Sequence, residues 1–222
     1  MMLHLLTMML AALVGLSLAA GAQKPIKVGY PMILSGPSAF FGKPALKGAQ
    51  MFVDEINAEG GVLGRKLELL ARDTKINADE AVRFSRELIL KERVDFLVGT
   101  YTSAEGPAVS VVAKENKIVF IAPISKTDEL TAKDKLHPYV FRVASTATIE
   151  GRSAAEIVAK SPVTRVATIS LDYAYGRDVT RAFVEHLKKV KPTVQIVDQA
   201  WPKLRPDFQG LGRAQVDYTP PP

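Results

Sequence analysis

The chain has 222 residues, 47% hydrophobic and 23% charged, with a formal net charge of +6 and no cysteine. That composition belongs to an ordinary folded globule, and the missing thiols exclude a disulfide framework, a thiol nucleophile and a cysteine metal site. Positive charge is spread along the chain, and its densest cluster, Lys188, Lys189 and Lys191, lies at a predicted helix end without interleaved aromatics, so no nucleic-acid partner is expected.

Leu5 to Ala20 is almost wholly apolar and runs into Ala20-Gly21-Ala22, the small-x-small pattern that a signal peptidase accepts. Residues 1–22 are therefore predicted to be an export signal cleaved after Ala22, with a periplasmic destination. Only His4, and no Lys or Arg, precedes the apolar run, so the basic n-region is missing and an uncleaved anchor is the alternative.

Beyond the leader, short β-rich runs alternate with helical patterns, which predicts an α/β protein with a parallel sheet wrapped by helices. Ile26 to Leu34 is the first strand. Pro44 to Ala58 is the first helix, with Pro44 at its first position and Ala45, Ala49, Phe52, Val53 and Ile56 as a buried stripe. Gly60-Gly61-Val62-Leu63-Gly64 ends that helix. Lys66 to Arg72 is a strand, and Asn77 to Glu92 a helix with Asn77 as N-cap and Glu80 at the capping-box position. Asp95 to Gly99, Ala104 to Glu115 and Ile118 to Ala122 complete a β-α-β-α-β-α-β unit.

This unit, 23–122, is predicted to be a first ligand-binding lobe. A polar stretch over 123–138 leads toward a hinge, and 139–204 is read as a partial second lobe. There Tyr139 to Ala144, Ile149 to Lys160, Arg165 to Leu171, Gly176 to Lys189 and Thr193 to Asp198 run strand, helix, strand, helix, strand. Residues 205–222 carry no period and end in three prolines, which predicts an irregular tail.

Ligands of open parallel sheets bind beyond the carboxyl ends of the strands, so the loops after Leu34, Gly99 and Ala122 carry the candidate chemistry. Ser35 to Gly42 offers Phe40 or Phe41 as an apolar wall, unless it is turn chemistry alone. Gly99-Thr100-Tyr101-Thr102-Ser103-Ala104-Glu105 brings the Thr102 and Ser103 hydroxyls to a helix N-terminus, a setting suited to a carboxylate; the bland alternative has Ser103 capping its own helix. Ser125 and Lys126, in the loop after Ala122, are expected beside the previous loop as ligand-binding candidates, and Lys126 offers a positive charge to an acidic ligand or forms a surface pair with Asp128 or Glu129. Tyr175, before Gly176, either closes over a ligand from the second lobe or is an ordinary core aromatic.

Enzyme signatures are not found. Gly60, Gly61 and Gly64 follow a helix rather than a strand, there is no phosphate-binding Gly-Lys-Ser/Thr, and His4, His137 and His186 are far apart in the sequence. No cofactor and no metal are expected.

Several segments together resemble the exported substrate-binding proteins of branched-chain amino acid type ABC transporters. They are Ser35-Gly36-Pro37, Gly48-Ala49-Gln50 with Asp54 to Gly64, Val98-Gly99, Ala122-Pro123 with Asp128-Glu129-Leu130-Thr131, and Tyr175-Gly176. The likeness runs from about Ile26 to Trp201. It implies a type I periplasmic-binding fold of two Rossmann-like lobes, a small-molecule ligand held between them, membrane permease subunits as partners, and no reaction. By position, Ser103 resembles the carboxylate-binding hydroxyl with Tyr101 and Thr102 beside it. Ile124 matches a carbonyl for the ligand's amino group, and Phe41 and Tyr175 match aromatic walls.

Two departures bear on the ligand: Lys126 stands where leucine binders carry a threonine, and Phe41 where they carry a tyrosine. Both favour a different acidic ligand, such as an aromatic or oxo acid. The resemblance also places further binding residues beyond the point where this pattern is lost, so the chain is expected to be a C-terminally truncated copy. The expected function is that of a solute-binding protein of an ABC importer for an amino acid or related carboxylate. The alternatives are the sensing module of an amide- or amino-acid-responsive receptor and, from a different class, a Rossmann-type enzyme.

Overall fold

The computed structural model describes residues 23–203; the predicted leader and the tail from 205 onward lie outside the described residues. Five parallel strands form the main sheet in the order β2-β1-β3-β4-β5, from β1 (Ile26–Met32), β2 (Leu67–Asp73), β3 (Phe96–Val98), β4 (Val119–Ala122) and β5 (Val140–Arg142). The crossovers are α1 (Ala39–Ala58), α2 (Ala78–Leu90) and α3 (Glu105–Asn116). A parallel pair needs such a crossover, and each helix lays an apolar stripe on the sheet.

One face of the sheet buries Leu88, Leu97, Val109, Phe120 and Val140 together, and the other gathers Tyr30, Met32 and Ile33 under Leu46 and Ala49 of α1. Two turns follow directly from residue chemistry. Asn77 caps α2 by accepting from the Glu80 N–H at 3.0 Å, although the Glu80 carboxylate turns to Arg83 instead of closing a capping box. Gly99 leaves β3 at φ 156°, and a Cβ there would collide with the Pro31 carbonyl, so only glycine lets the β3 loop pass β1.

The remaining elements form a smaller unit. Helices α4 (Ala147–Ala159) and α5 (Ala174–Val190) pack together over a two-stranded parallel sheet of β6 (Arg165–Ile169) and β7 (Gln195–Ala200). Its core is small: Ala155, Leu187 and Val194, with Val158, Phe183 and Ile196 around them. Thr146 caps α4 by accepting from the Ile149 N–H.

Three expectations are corrected. The strand at 139–144, assigned to the second lobe, is β5 and pairs with β4 through Phe120↔Val140, Ile121↔Phe141 and Ala122↔Arg142; Val140 is buried in the first core. Helix α1 begins at Ala39, five residues before Pro44, which therefore lies inside it. At the sixth position of the helix proline has no N–H to give to the Phe40 carbonyl, so α1 forgoes one bond near its start. Phe52, assigned to the buried stripe, is 59% exposed, while Val53 next to it faces the sheet.

The two units meet through the segment that follows β4. Lys126 Nζ reaches Glu150 of α4 at 2.5 Å, the Thr127 hydroxyl donates to Asp178 of α5 at 2.8 Å, and Asp128 accepts from the Thr148 hydroxyl at 2.7 Å. The Ala147 N–H also donates to the Lys126 carbonyl at 2.8 Å. Three consecutive residues are thus tied to the opposite unit.

Candidate ligand cleft

A cleft of about 200 Å³ opens where the carboxyl ends of β3 and β4 face the N-terminus of α5. Tyr101, Thr102, Ser103, Ile124, Lys126, Tyr173 and Tyr175 line it. The first five come from the large unit and the two tyrosines from the small one, so the cavity lies between the units at the strand ends where such sheets bind ligands.

Its floor is set by a capping box. The Thr102 hydroxyl accepts from the Glu105 N–H at 3.2 Å, and the Glu105 carboxylate receives the Thr102 N–H at 2.8 Å and its hydroxyl at 3.0 Å. Thr102-Ser103-Ala104-Glu105 is therefore the reciprocal Thr-x-x-Glu motif, and Glu105 is completely buried beneath the cleft. The capping role assigned as an alternative to Ser103 belongs to Thr102. Ser103 lines the cleft and its hydroxyl makes no hydrogen bond among the described residues. It stands at the positive end of α3, a position where a donor hydroxyl and the helix dipole act on the same anion.

The walls are aromatic. Phe41 is not a lining residue; it sits in the first turn of α1 and stacks on Tyr101 with ring centroids 5.2 Å apart. Burial, with Tyr173 nearby, pushes the Tyr101 hydroxyl up to about 12. Tyr173 and Tyr175 pair at 6.0 Å across the opening of α5, and burial raises both hydroxyls above the ordinary range, helped at Tyr175 by its bond to Glu150. All three tyrosines therefore stay neutral.

One charged group lies on the lining, Lys126, and its partner is neither Asp128 nor Glu129 but Glu150. Glu150 takes Lys126 Nζ at 2.5 Å and the Ser145 hydroxyl at 2.6 Å on one oxygen, and the Tyr175 hydroxyl at 2.6 Å on the other. Burial pushes this carboxyl up, but the hydrogen bonds from Lys126, Ser145 and Tyr175 and the lysine charge outweigh it and hold its pKa at about 2. Lys126 also lies 5.7 Å from the centre of the Tyr175 ring.

Of the residues proposed from the sequence, Tyr101, Thr102, Ser103, Ile124, Lys126 and Tyr175 come together on the lining. Ser125 does not: it is fully buried, and its Oγ turns toward Gly106 of α3. Side chains alternate along an extended loop, so Ile124 and Lys126 facing the cleft send Ser125 the other way. Tyr173 and Glu150 were missed. Tyr173 is legible as the first aromatic of Tyr173-Ala174-Tyr175, whereas nothing local marks Glu150, which reaches Lys126 from 24 residues away.

A Ser–His pair elsewhere is not a catalytic dyad. His137 Nε2 lies 2.9 Å from the Ser110 hydroxyl, but its Nδ1 accepts from the Tyr139 N–H, so Nε2 carries the proton and is no base toward Ser110. Among the described residues, no helix is long and apolar enough to cross a membrane, and no group of three or more His, Asp or Glu side chains is placed to hold a metal ion.

Two α/β units with a polar-floored, aromatic-walled cleft between them, at the carboxyl ends of parallel strands, define a type I periplasmic-binding fold. The periplasmic binding protein family model matches residues 25–215, and the chain belongs to that family. It is 30% identical over 192 residues to a Leu/Ile/Val-binding protein of Citrobacter freundii, covering 86% of this chain and 52% of that one. Two solved structures are similar at a TM-score of 0.74. One is a solute-binding protein of an ABC transporter from Rhodopseudomonas palustris BisB5 in complex with 3,4-dihydroxybenzoic acid, 26% identical, covering 86% of this chain and 51% of that one. The other is a branched-chain amino acid transporter substrate-binding protein from Streptococcus pneumoniae in complex with isoleucine, 27% identical, covering 87% and 54%. The chain spans about half the length of these relatives.

Proposed function

We propose that the chain is an exported solute-binding protein of an ABC importer that takes a small carboxylate, an amino acid or an aromatic acid, into this cleft in the periplasm and presents it to membrane permease subunits. The observation that carries this reading is Ser103: the Thr102–Glu105 box caps α3 without it, so its hydroxyl remains available at the helix's positive end. In this reading Ser103 and the α3 terminus receive the carboxylate and Lys126 adds charge. Ile124 offers its carbonyl, Tyr101 and Tyr175 enclose the body of the ligand, and Phe41 backs Tyr101. Similarity to proteins solved with isoleucine and with 3,4-dihydroxybenzoic acid supports a carboxylate as the common feature. Binding without chemistry is the role assigned, since the cleft presents hydroxyls, one paired lysine and aromatic rings.

A thermal-shift screen of the purified chain against amino acids, hydroxybenzoates and their amides tests this. A ligand that binds the folded state raises its melting temperature, by an amount that grows with concentration over Kd. The expected result is a shift with at least one carboxylate and a smaller one with its amide. No shift with any carboxylate at millimolar concentration would overturn the proposal.

A further inference from the structure

Lys126 and Tyr175 line the cleft from opposite units, yet both end on the same side chain, Glu150, which is not itself on the lining. With Ser145, three donors fill the two oxygens of this carboxylate. Two consequences follow. The Tyr175 hydroxyl hydrogen is committed to Glu150, so toward the cleft that oxygen is an acceptor. The Lys126 charge is already balanced, so a ligand carboxylate approaching Nζ also meets the field of Glu150.

We infer that Glu150 is the resident counter-ion of the cleft: it positions Lys126 and Tyr175, competes with a ligand carboxylate for Lys126, and so sets how strongly anions are preferred over neutral analogues. The inference rests on the reading of the cleft as a carboxylate site. A carboxylate occupying the lysine directly would otherwise gain its full attraction. With Glu150 in place the gain is reduced, and selectivity shifts toward ligands that also engage Ser103. Glu150 acts here as a positioning residue through Lys126 and Tyr175, so its effect should appear in charge preference and not only in stability.

Calorimetry of the wild type and Glu150→Gln with 4-hydroxybenzoate, isoleucine and 4-hydroxybenzamide is the test. Gln keeps the shape and removes the charge. It should tighten 4-hydroxybenzoate binding by about tenfold, as expected for deleting one nearby like charge, while binding of the amide moves by less than about twofold. In the wild type, 4-hydroxybenzoate affinity should depend weakly on salt, because Lys126 is neutralised; this measurement serves if the variant fails to fold. Unchanged or weaker 4-hydroxybenzoate binding in a folded Glu150→Gln, or a steep salt dependence in the wild type, overturns the inference while leaving the carboxylate reading intact. A variant that binds 4-hydroxybenzoate where the wild type does not supports both. Neither protein binding either carboxylate overturns both.

Discussion

Ser125 is packed against Gly106: a Cβ at position 106 would overlap the Oγ and Cβ of Ser125. The loop that carries Ile124 and Lys126 to the cleft therefore lies directly on the first turn of α3, just past Ser103. The two halves of the cleft floor owe their spacing to the missing side chain. Gly106→Ala should destabilise the fold by about 1–3 kcal/mol through overpacking, read as a lower urea midpoint at unchanged slope. A midpoint equal to that of the wild type would mean that this contact is loose.

Ser103 and Thr102 are adjacent and chemically alike, but their substitutions should separate. Ser103→Ala should weaken carboxylate binding at least tenfold, the ~1.4 kcal/mol of one charge-assisted hydrogen bond, with little change in melting temperature. Thr102→Ala should cost about 1–2 kcal/mol of stability because it opens the capping box over a buried carboxylate. Calorimetry and thermal melts on both variants check the pair; equal effects on stability would reassign the cap.

Much of this was readable in the chain, and the divide between what was and was not is physical. The β-α-β order, the Asn77 cap and the loops after β3 and β4 are local patterns, and apart from the start of α1 the elements of the main sheet lie within a few residues of their expected places. Which sheet a strand joins is not local. Val140-Phe141-Arg142 has the same alternation whether it pairs with β4 or opens a new unit, and only the burial of Val140 against Phe120 decides. The capping box is written in Thr102-Ser103-Ala104-Glu105, where two adjacent hydroxyls compete for the cap and only the one three residues before a glutamate closes the box. The Glu150 bond to Lys126 needed the packing of α4 and could not be read from spacing.

Acid should remove a defined part of the stability. The Glu150 carboxyl is held at about 2, below its ordinary 4.5. A depressed carboxyl contributes stability that is present above the ordinary value and is lost as pH falls through the folded one. Wild-type stability should thus decline between about pH 4.5 and 2 by about 1–2 kcal/mol more than that of Glu150→Gln, after allowance for screening at this partly exposed site. Parallel pH profiles of urea stability for the two proteins would show that the cluster is not coupled to folding.

Lys126→Thr tests the charge on the lining. It should lower affinity for 4-hydroxybenzoate by about tenfold and bring it toward that of 4-hydroxybenzamide. A variant that keeps the wild-type ratio between acid and amide would remove Lys126 from recognition.

Lys126, Thr127 and Asp128 each grip the far unit, through Glu150, Asp178 and Thr148. The cation that faces a guest is therefore mounted on the joint itself. A shift of the small unit would tug on that ammonium through Glu150, so the lysine works as a tether between the posture of the halves and the charge a guest meets.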